Sequence, residues 1–579
     1  MQNTLPQQFF ATAEKFSKRP ALRYKKDNTW FALTFKEVES QIKDFASGLS
    51  QLGCQKDDRV AILSANRPEW VVADLGIMSI GAVVVTVHTT FSPKLIAHVL
   101  KDSKVKFLVV SNQEQLTKVI LYQKQLPDLK EIIYFDLAKP MNDIVDIKQI
   151  SFDKVVEMGK SGQEAGSKKQ EASGLEDDIA SIIYTSGTTG TPNGVILTHQ
   201  NFLSNAQAAL QAVPVTEKDM LLSFLPLSHV LERTAGYYAP LVLSGACIAY
   251  AESPKTLVND LKQIKPTILI SVPRIFERFH KSVWEKVKEG NNFKKKLFIK
   301  ALKQQKGTFK YKIFDYLVFK KIRAALGGRF RLTISGGSSL NPKLGKFFDK
   351  IGIVILEGYG MTETSPVITA NRVGKIKFGT VGQALPGVEI KIADDKEILV
   401  KGPNIMKGYT SLQRDVFDSD GWFHTGDLGF LDSQGYLTII GRKKEMIVLA
   451  TGKNVWPENI EQVLNNDRFI NQSMIIGHNR QFVTALIIPD WNEIKRHRKE
   501  KNLPSMSPEN LIKEEDIINL YKDRLDCYNE DFGQWEYPKK FTLLENEFSQ
   551  ENEELTPTLK LRRKVILEHY KKEVEGMYE

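Results

Sequence analysis

The sequence is poor in cysteine and has no apolar run long enough to cross a membrane. Its three cysteines, Cys54, Cys247 and Cys527, are widely separated, which excludes a disulfide framework and CxxC zinc ligands. The longest apolar runs, near residues 76–87 and 239–251, are shorter than the roughly 20 residues of a transmembrane helix. The first twenty residues also lack the basic-then-apolar order of a signal peptide. These absences predict a cytoplasmic protein.

Positive charge is concentrated in one part of the chain. The net charge is +11, yet residues 281–331 alone contain sixteen lysines and arginines against three acidic residues. We call residues 281–331 the basic segment, and outside it the chain is slightly acidic. The sequence contains neither zinc-finger spacing nor an aromatic-and-basic RNA-binding motif, so we expect no nucleic-acid partner.

The first part of the chain alternates between strand and helix patterns. An amphipathic helix with a capping box at Thr34 and Glu37 comes first. Strand patterns then cover residues 59–65, 83–87, 106–110 and 131–135. This alternation predicts parallel βαβ units. The stretch 158–176, rich in Gly, Ser, Lys and Glu, predicts a mobile connector.

Further along, the pattern changes twice. Short strands and Gly/Pro turns after Gly379 predict a small β-rich subdomain, and the mixed, charged sequence from Gly441 predicts an α+β unit. A chain of 579 residues also exceeds what one hydrophobic core normally holds. We therefore predict an α/β protein whose large N-terminal domain (residues 1–440) combines parallel-type βαβ sheets with the β-rich subdomain. A small, mobile α+β C-terminal domain (residues 441–579) follows it.

The most informative stretch is "YTSGTTGTPNGV", Tyr184–Val195, which follows an apolar strand pattern. Glycines allow backbone N–H groups to turn toward anionic oxygens, and the hydroxyl groups add further donors. The stretch lacks the GxxxxGK[ST] pattern of a Walker A loop, and Asn193 rather than a lysine stands near its end. It therefore predicts a phosphate-binding loop of another kind.

This loop resembles the phosphate-binding signature of the adenylate-forming, or AMP-binding, superfamily. That superfamily includes acyl-CoA synthetases, the adenylation domains of peptide synthetases, and firefly luciferase. Its usual pattern is YTSGTTGxPKGV; eleven of the twelve positions fit and Asn193 departs. Further motifs follow in the family's order: "LPLSHVLER" (225–233), "SVPRIFER" (271–278), "SGGSSL" (335–340), "EGYGMTETSP" (357–366), "DGWFHTGDLG" (420–429), "GRKKEMIVLATGKNVWPENIE" (441–461) and "LTPTLKLRRK" (555–564).

The resemblance implies a nucleotide site built from several of these motifs. Tyr359 would stack on adenine, Thr362 would touch the α-phosphate, and Asp427 would accept hydrogen bonds from the ribose hydroxyls. Arg442 would also contact the nucleotide. The other nucleotide-binding residues that it implies are Thr185, Ser186, Gly187, Thr188, Thr189, Gly190, Gly337, Ser338, Gly358, Gly360 and Met361.

It also implies the residues that carry the chemistry. Glu363 would hold Mg²⁺, because a hard cation prefers carboxylate oxygen. His229 would line the place where the substrate carboxylate meets ATP, and Thr185 is a further catalytic candidate. Lys560 matches the catalytic lysine of the adenylation step.

Two positions are implied to serve a moving C-terminal domain. Lys444 stands where the family pivots this domain, and Gly452 matches the glycine that lets the pantetheine arm of CoA approach. Both lie in the motif of residues 441–461.

Three motifs, "LPLSHVLERTAGYY", "SVPRIFER" and "LTPTLKLRR", are similar to those of long-chain fatty acyl-CoA synthetases. This implies an ATP-dependent ligase that uses Mg²⁺, forms an acyl-adenylate from a long-chain fatty acid and passes the acyl group to CoA. Four alternatives stay open: an acyl carrier protein as acceptor, an acyl-AMP ligase, a nucleotide-binding relative that has lost catalysis, and a luciferase-like oxygenase. A homodimer also stays open.

Asn193 weakens the expected phosphate site without abolishing it. Loss of one charge-assisted contact would weaken binding by about 1.5–3 kcal/mol. Lys560, Mg²⁺ and the loop amides would remain, so the enzyme interpretation stands.

The basic segment contains two candidate amphipathic helices with apolar faces beside lysines. These faces are Phe293, Leu297 and Ala301 in the first helix, and Phe314, Leu317, Val318 and Ile322 in the second. Such helices can bind an anionic membrane weakly, here at the inner membrane surface. The same pattern also fits apolar faces packed on the main domain with solvated lysines, or a cluster that attracts anionic CoA.

Overall fold

The computed structural model describes residues 3–137, 147–164, 175–185, 192–253, 256–410, 416–528, 532–556 and 559–579. Two large, mostly parallel sheets are built mainly from strands before residue 380, and each gains one short strand from further along the chain. The first sheet contains, in spatial order, Gln383–Ala384, Val367–Ala370, Ile355–Gly360, Leu332–Ser335, Ile268–Ser271, Met220–Ser223, Cys247–Tyr250, Pro20–Lys26 and Thr29–Thr34. The second contains Gly408–Tyr409, Asn193–Thr198, Ile179–Thr185, Val83–Val87, Arg59–Leu63, Phe107–Asn112, Glu131–Asp136 and Lys148–Ser151.

Helices cover these sheets. Those of the N-terminal part are Leu5–Lys15, Phe35–Gln51, Pro68–Ser79, Pro93–Asp102, Gln113–Ile120, Phe152–Glu164, His199–Ala212, Leu257–Ile264, Pro273–Glu289, Asn292–Leu302, Phe309–Phe314, Lys320–Ala325 and Pro342–Lys350. Glu232–Leu243 and Asp315–Phe319 are π-helical, and Gln123–Gln125 and Thr362–Thr364 are 3₁₀ turns. The central strands are buried on both faces, which explains why their sequences are continuous apolar runs and do not alternate between apolar and polar residues.

An antiparallel sheet joins these sheets to the rest of the chain. Its strands are Glu389–Ile392, Glu397–Lys401, Phe423–Leu431 and Leu437–Arg442. This arrangement agrees with the β-rich subdomain that the short strands after Gly379 predicted.

Residues 441–579, which we call the C-terminal part, have hydrophobic clusters of their own. Their strands are Ile447–Val448, Asn454–Val455, Ile470–Ile476, Thr484–Pro489 and Lys540–Leu543. Their helices are Pro457–Leu464, Trp491–Glu500, Pro508–Leu511, Glu515–Asp526, Arg563–His569 and Lys571–Gly576. The predicted α/β class with a separate small α+β unit is confirmed, whereas the domain boundary at residue 440 stays a prediction.

The predicted capping box is present at the start of helix Phe35–Gln51. Thr34 Oγ1 accepts a hydrogen bond from the Glu37 amide at 3.3 Å, and Glu37 Oε2 accepts one from the Thr34 amide at 2.7 Å. The hydrogen bond from the Thr34 amide lowers the pKa of Glu37, and the bond from the Thr34 hydroxyl makes a smaller contribution in the same direction. Beyond the helix, Gly53 has a positive φ of 88°, a conformation that glycine adopts without strain.

The connector predicted at residues 158–176 is wrong at its start. Residues 158–164 continue helix Phe152–Glu164, and residues 165–174 lie outside the described residues. A Cβ on Gly159 would lie 1.7 Å from the carbonyl oxygen of Asp44, and one on Gly48 would lie 1.9 Å from that of Val155. These glycines therefore permit close packing of two helices.

The two amphipathic faces predicted in the basic segment are only partly buried. Ala301 is buried, and Phe314, Val318 and Ile322 pack against the core at its edge. Phe293 and Leu317, which were expected on the same faces, are 71% and 45% exposed. Phe298 and Phe319 take the buried positions instead.

In the described residues, every helix is too short or too polar to cross a bilayer. Cys54 and Cys247 are buried, Cys527 is exposed, and all three are free thiols.

Candidate active site

One cavity of about 980 Å³ is lined by residues from both sheets, the antiparallel sheet and the C-terminal part. It collects most of the residues predicted from the motifs. Those that line it are Thr185, His229, Gly337, Gly358, Tyr359, Gly360, Met361, Thr362, Glu363, Asp427, Arg442, Lys444 and Lys560. Motifs up to 375 residues apart in sequence therefore meet in one place.

The remaining predicted residues do not line this cavity or are not described. Ser338 is exposed and lies beside the cavity-lining Gly337 rather than in the wall. Gly452 is in the turn between Ile447–Val448 and Asn454–Val455, away from the cavity wall. Ser186, Gly187, Thr188, Thr189 and Gly190 lie outside the described residues.

Asp427, Tyr359 and Arg442 form a connected polar group in the cavity wall. The Tyr359 hydroxyl donates to Asp427 Oδ2 at 2.6 Å, and Arg442 Nε lies 3.1 Å from Asp427 Oδ1. The Asp427 carboxylate raises the pKa of Arg442, which therefore keeps its charge. These contacts fix a carboxylate in the wall, and carboxylate oxygens accept hydrogen bonds from sugar hydroxyls.

Glu363 is a buried carboxylate held by a single described side chain. The Tyr409 hydroxyl donates to Glu363 Oε1 at 2.8 Å, and burial raises the pKa of Glu363. Within the described ranges no group of three or more His, Cys, Asp and Glu could hold a metal. Mg²⁺ is usually held by one or two carboxylates together with substrate phosphates, so this donor set fits a Mg²⁺–nucleotide complex.

His229 begins the segment that leads into helix Glu232–Leu243. Burial, with a smaller contribution from Lys560, lowers the pKa of His229 to about 4. The ring is therefore neutral at pH 7 and provides a hydrogen bond rather than a charge.

His88 is a cavity residue that the sequence motifs did not indicate. Its ring centroid is 6.3 Å from that of His229, and its Nδ1 lies 2.7 Å from the Ser228 hydroxyl. Burial lowers the pKa of His88 to about 3. His88 follows the strand sequence "VVVTV" and belongs to no recognisable motif. Only the fold therefore reveals that it lies beside His229 and Ser228.

Arg233, four residues after His229, is fully buried and pairs with Asp74. Its Nη1 also donates to the Ser181 hydroxyl at 2.6 Å, and Tyr238 donates to Asp74 Oδ2 at 2.9 Å. Because Ser181 lies in the strand that ends at Thr185, this network connects the His229 segment to the strand that precedes the predicted phosphate-binding loop.

Lys560 is half-buried and lines the cavity, although a lysine in a charged C-terminal stretch is usually solvated. Its amide donates to Thr556 Oγ1 at 3.0 Å, and its carbonyl accepts from the Thr556 amide at 2.8 Å. Burial and then Arg442 lower the pKa of Lys560, whereas Glu458, Asp427 and Glu445 raise it. The two glutamates are further residues that the motifs did not single out.

The cavity also has an apolar lining. Helix His199–Ala212 and the turn after it contribute several of these side chains, and helix Glu232–Leu243 contributes small ones. They include Ala209, Leu210, Val213, Val215, Ala235, Ala239 and Ile334. Such a lining suits a hydrocarbon chain.

Asn193 lines the cavity at the start of strand Asn193–Thr198. It pairs with Thr185 across the antiparallel ladder, so the two residues stand at the two ends of the segment that the sequence predicts to bind phosphate. The side chain is half-buried. The structure therefore brings the one departure from the family signature to the cavity.

Comparisons with known proteins agree with this geometry. The AMP-binding enzyme model matches residues 9–410, and the AMP-binding enzyme C-terminal domain model matches residues 444–579. The long-chain-fatty-acid–CoA ligase FadD15 of Mycobacterium bovis is 35% identical, covering 95% of this chain and 93% of the relative. The long-chain-fatty-acid–[acyl-carrier-protein] ligase AEE15 of Arabidopsis thaliana is 28% identical, covering 99% and 86%.

Solved structures show the same fold. The anthranilate CoA ligase AuaEII in complex with anthranoyl-AMP has a TM-score of 0.77 at 20% identity, covering 100% of this chain and 99% of that one. The adenylation domain of a carboxylate reductase from Mycobacterium chelonae has a TM-score of 0.80, also at 20% identity, covering 99% and 91%. The fold and cavity define an adenylate-forming enzyme.

The chain belongs to the AMP-binding enzyme family. The resemblance inferred from the motifs, including that to long-chain fatty acyl-CoA synthetases, is confirmed by these matches.

Proposed function

We propose that the protein activates a long-chain fatty acid with ATP and transfers the acyl group to CoA, forming acyl-CoA, AMP and pyrophosphate. One observation carries this proposal: the same cavity is lined by Asp427, Arg442 and Lys560 and by a set of apolar side chains. The identity to FadD15 over nearly the whole chain supports a long-chain fatty acid and CoA as substrates.

In the first step, a carboxylate oxygen of the fatty acid attacks the α-phosphorus of ATP, and the bond to the pyrophosphate oxygen breaks. Lys560 would stabilise the negative charge that develops on the phosphate oxygens. Burial and Arg442 lower its pKa in the free protein, and the charge of bound phosphates would raise this pKa again. His229, neutral at pH 7, would donate a hydrogen bond near the reacting carboxylate.

The nucleotide would be held by the polar group already described. Tyr359 would offer its ring to adenine, and Asp427 would accept hydrogen bonds from the ribose, while Thr362 and the glycines beside it would face the α-phosphate. Gly337 and Ser338 would lie on the adenine side. The predicted phosphate-binding loop, which begins at Thr185, would surround the other phosphates.

Glu363 would hold Mg²⁺ together with the phosphates of ATP. The bound cation would neutralise phosphate charge and orient the nucleotide. Tyr409 would keep the carboxylate pointed at this position, since its hydroxyl already donates to Glu363 Oε1.

In the second step, the CoA thiol gives up its proton and its sulfur attacks the acyl carbon, so that AMP leaves. Lys560 lines the cavity in this structure whereas the Gly452 turn does not. Gly452 has a positive φ of 77°, and a Cβ added to it would have no atom within 4 Å apart from those of its chain neighbours, which leaves space for a ligand chain beside its turn. We therefore propose that the C-terminal part pivots near Lys444 before the thiol attacks.

The acceptor is tested by thioester formation from ATP and a panel of fatty acids, followed by mass spectrometry. CoA and acyl carrier protein are supplied in parallel, because AEE15 is an acyl-carrier-protein ligase that is similar over 99% of this chain. We expect acyl-CoA. Acyl carrier protein as the only acceptor would overturn the CoA assignment, and pyrophosphate release without any thioester would indicate an acyl-AMP ligase.

Replacing Asn193 by lysine tests the departure from the family signature. We expect Asn193→Lys to tighten ATP or pyrophosphate binding by about tenfold, because an ammonium group adds a charge-assisted hydrogen bond near the phosphates. Equilibrium binding of ATP measures the effect, with Asn193→Gln as the neutral control. Lower activity without tighter nucleotide binding would mean that the loop is shaped around asparagine.

The exposed side of the basic segment supports weak contact with an anionic membrane. Phe309 is 77% exposed and Tyr316 is 67% exposed. Phe293, Ile299, Ile313 and Leu317 are also exposed, and exposed lysines stand near them in the sequence. Each lysine at a membrane surface contributes about 1 kcal/mol, and apolar side chains add burial in the headgroup region.

Vesicle co-sedimentation tests this contact. We expect salt-sensitive binding to vesicles containing phosphatidylglycerol and none to pure phosphatidylcholine, since the attraction is electrostatic. The double variant Lys296→Glu/Lys300→Glu should lose the binding. Binding that ignores lipid charge and salt, or no binding at low salt, would contradict the proposal.

A further inference from the structure

Helix Pro273–Glu289 presents a cation every seven residues, at Arg274, Lys281 and Lys288. Seven residues are close to two helical turns, so these side chains project from the same face. Arg274 belongs to the "SVPRIFER" motif, and Lys281 and Lys288 belong to the start of the basic segment. From the sequence, the lysines of that segment could be solvated, could face a membrane or could attract CoA. In the structure this face points to the C-terminal part.

All three cations contact the C-terminal part directly. Arg274 donates to both the carbonyl oxygen and the side-chain oxygen of Asn471, at 2.8 Å each. Lys281 pairs with Asp490, and Lys288 lies 3.1 Å from Glu493. The two carboxylates have side chains only 8% and 4% exposed, so the interface shields them from water.

The acidic partners belong to one helix start. Asp490 is the N-cap of helix Trp491–Glu500, where it accepts from the amides of Asn492 and Glu493 at 3.0 and 3.1 Å. Glu493 lies in the first turn and also pairs with Arg496. Each carboxylate therefore keeps a partner within the C-terminal part if the lysines leave, which makes this contact reversible without an unpaired buried charge.

We propose that Arg274, Lys281 and Lys288 form a docking strip that positions the C-terminal part so that Lys560 lies in the cavity. This proposal rests on the proposed function, because it assigns the strip to the adenylation step. The strip consists of positioning residues: they act on the reaction through the placement of Lys560, and none of the three lines the cavity.

The strip leaves a specific signature in the two half-reactions. Each pair joins a half-exposed lysine to a carboxylate that keeps a second partner, so removing two of these pairs shifts a docking equilibrium by about tenfold rather than unfolding the protein. Adenylation, which needs Lys560 in the cavity, should slow. Thioester formation from supplied acyl-adenylate and CoA should not slow.

A cysteine pair provides a measurement of docking that is independent of activity. Gln462 Nε2 in the C-terminal part donates to the Ser339 carbonyl of the N-terminal part at 3.1 Å, so these two positions are adjacent when the parts are docked. Ser339→Cys/Gln462→Cys, in a Cys527→Ser background because Cys527 is exposed, should form a disulfide under mild oxidation. The rate of its formation reports the docked population.

The test variant is Lys281→Glu/Lys288→Glu, and the matched control is Lys286→Glu/Lys321→Glu, which changes the same charge at two exposed lysines of the basic segment. We expect the test variant to slow both disulfide formation and ATP–pyrophosphate exchange by about tenfold, with the control close to the unmodified protein. High salt should slow disulfide formation in the unmodified protein toward the rate of the test variant.

Exchanging the charges of Lys288 and Glu493 distinguishes a loss of electrostatic attraction from a general disruption of the structure. Lys288→Glu alone should weaken docking, and adding Glu493→Lys should restore part of the disulfide rate. Equal disulfide rates in the test and control variants would overturn the docking strip, as would equal slowing of both half-reactions. If the unmodified protein makes no acyl-adenylate at all, the proposed function fails while the disulfide rates still decide whether the strip docks the C-terminal part.

Discussion

Lys560→Ala should lower adenylate formation by about 10²- to 10³-fold, the range for removing one preorganised donor to a developing charge. The reason lies in its surroundings: Lys560 lines a cavity that is also lined by Arg442, Asp427 and Glu445. Its charge is available where phosphate charge develops. ATP–pyrophosphate exchange with a fatty acid measures this half-reaction directly.

The second half-reaction provides the contrast. Thioester formation from supplied acyl-adenylate and CoA should stay largely intact in Lys560→Ala, because Lys560 is assigned to the first step only. Lys571→Ala, in the exposed helix Lys571–Gly576, is the matched control and should leave both half-reactions unchanged. Equal loss of both half-reactions in Lys560→Ala would contradict the assignment of Lys560 to the adenylation step alone.

The meeting of the motif residues in one cavity could be predicted from the sequence because each motif carries an unusual set of residues, whereas their nucleotide-binding roles stay predictions. Tyr359, Glu363, Asp427 and Lys560 all line one cavity as the motifs implied. No local pattern could give their mutual contacts. The bond from Tyr359 to Asp427 joins residues 68 positions apart, and the bond from Tyr409 to Glu363 joins an unremarkable tyrosine to a motif residue.

The fold was predictable where the local pattern and the tertiary environment agree. The capping box at Thr34 and the buried strand at Arg59–Leu63 are examples, since each depends on residues close together in sequence. Glycine misled the prediction for residues 158–164 because the same residue type permits both flexibility and close helix packing. Gly159 serves the second purpose against Asp44, which only the tertiary structure reveals.

Charge in the basic segment was the least predictable feature. Composition shows that lysines are abundant there but not which of them have partners. Lys281 and Lys288 contact buried carboxylates of the C-terminal part, whereas Lys296 and Lys300 lie on the exposed side of the next helix. Partners more than 200 residues away in sequence decide the difference, since Lys281 meets Asp490 and Lys288 meets Glu493.

Glu363→Gln should weaken the apparent Mg²⁺ affinity of adenylation by about 10- to 100-fold, because the substitution replaces a carboxylate ligand by a neutral amide of the same shape. The fold should be retained, since the amide oxygen of glutamine can still accept the hydrogen bond from Tyr409. The rate of ATP–pyrophosphate exchange across a Mg²⁺ titration measures the change.

A second buried carboxylate of the cavity makes this test specific. Glu357 accepts a hydrogen bond from the Leu340 amide at 3.1 Å, and burial raises its pKa to about 7. Because its contact is to the backbone, Glu357→Gln should change the Mg²⁺ dependence little. Tyr409→Phe, which removes only the hydroxyl group that holds Glu363, should fall between the two variants. An unchanged Mg²⁺ titration in Glu363→Gln would show that Glu363 is not a metal ligand. Equal shifts in Glu363→Gln and Glu357→Gln would show that the lower Mg²⁺ affinity comes from the loss of a negative charge in the cavity and not from the loss of a ligand.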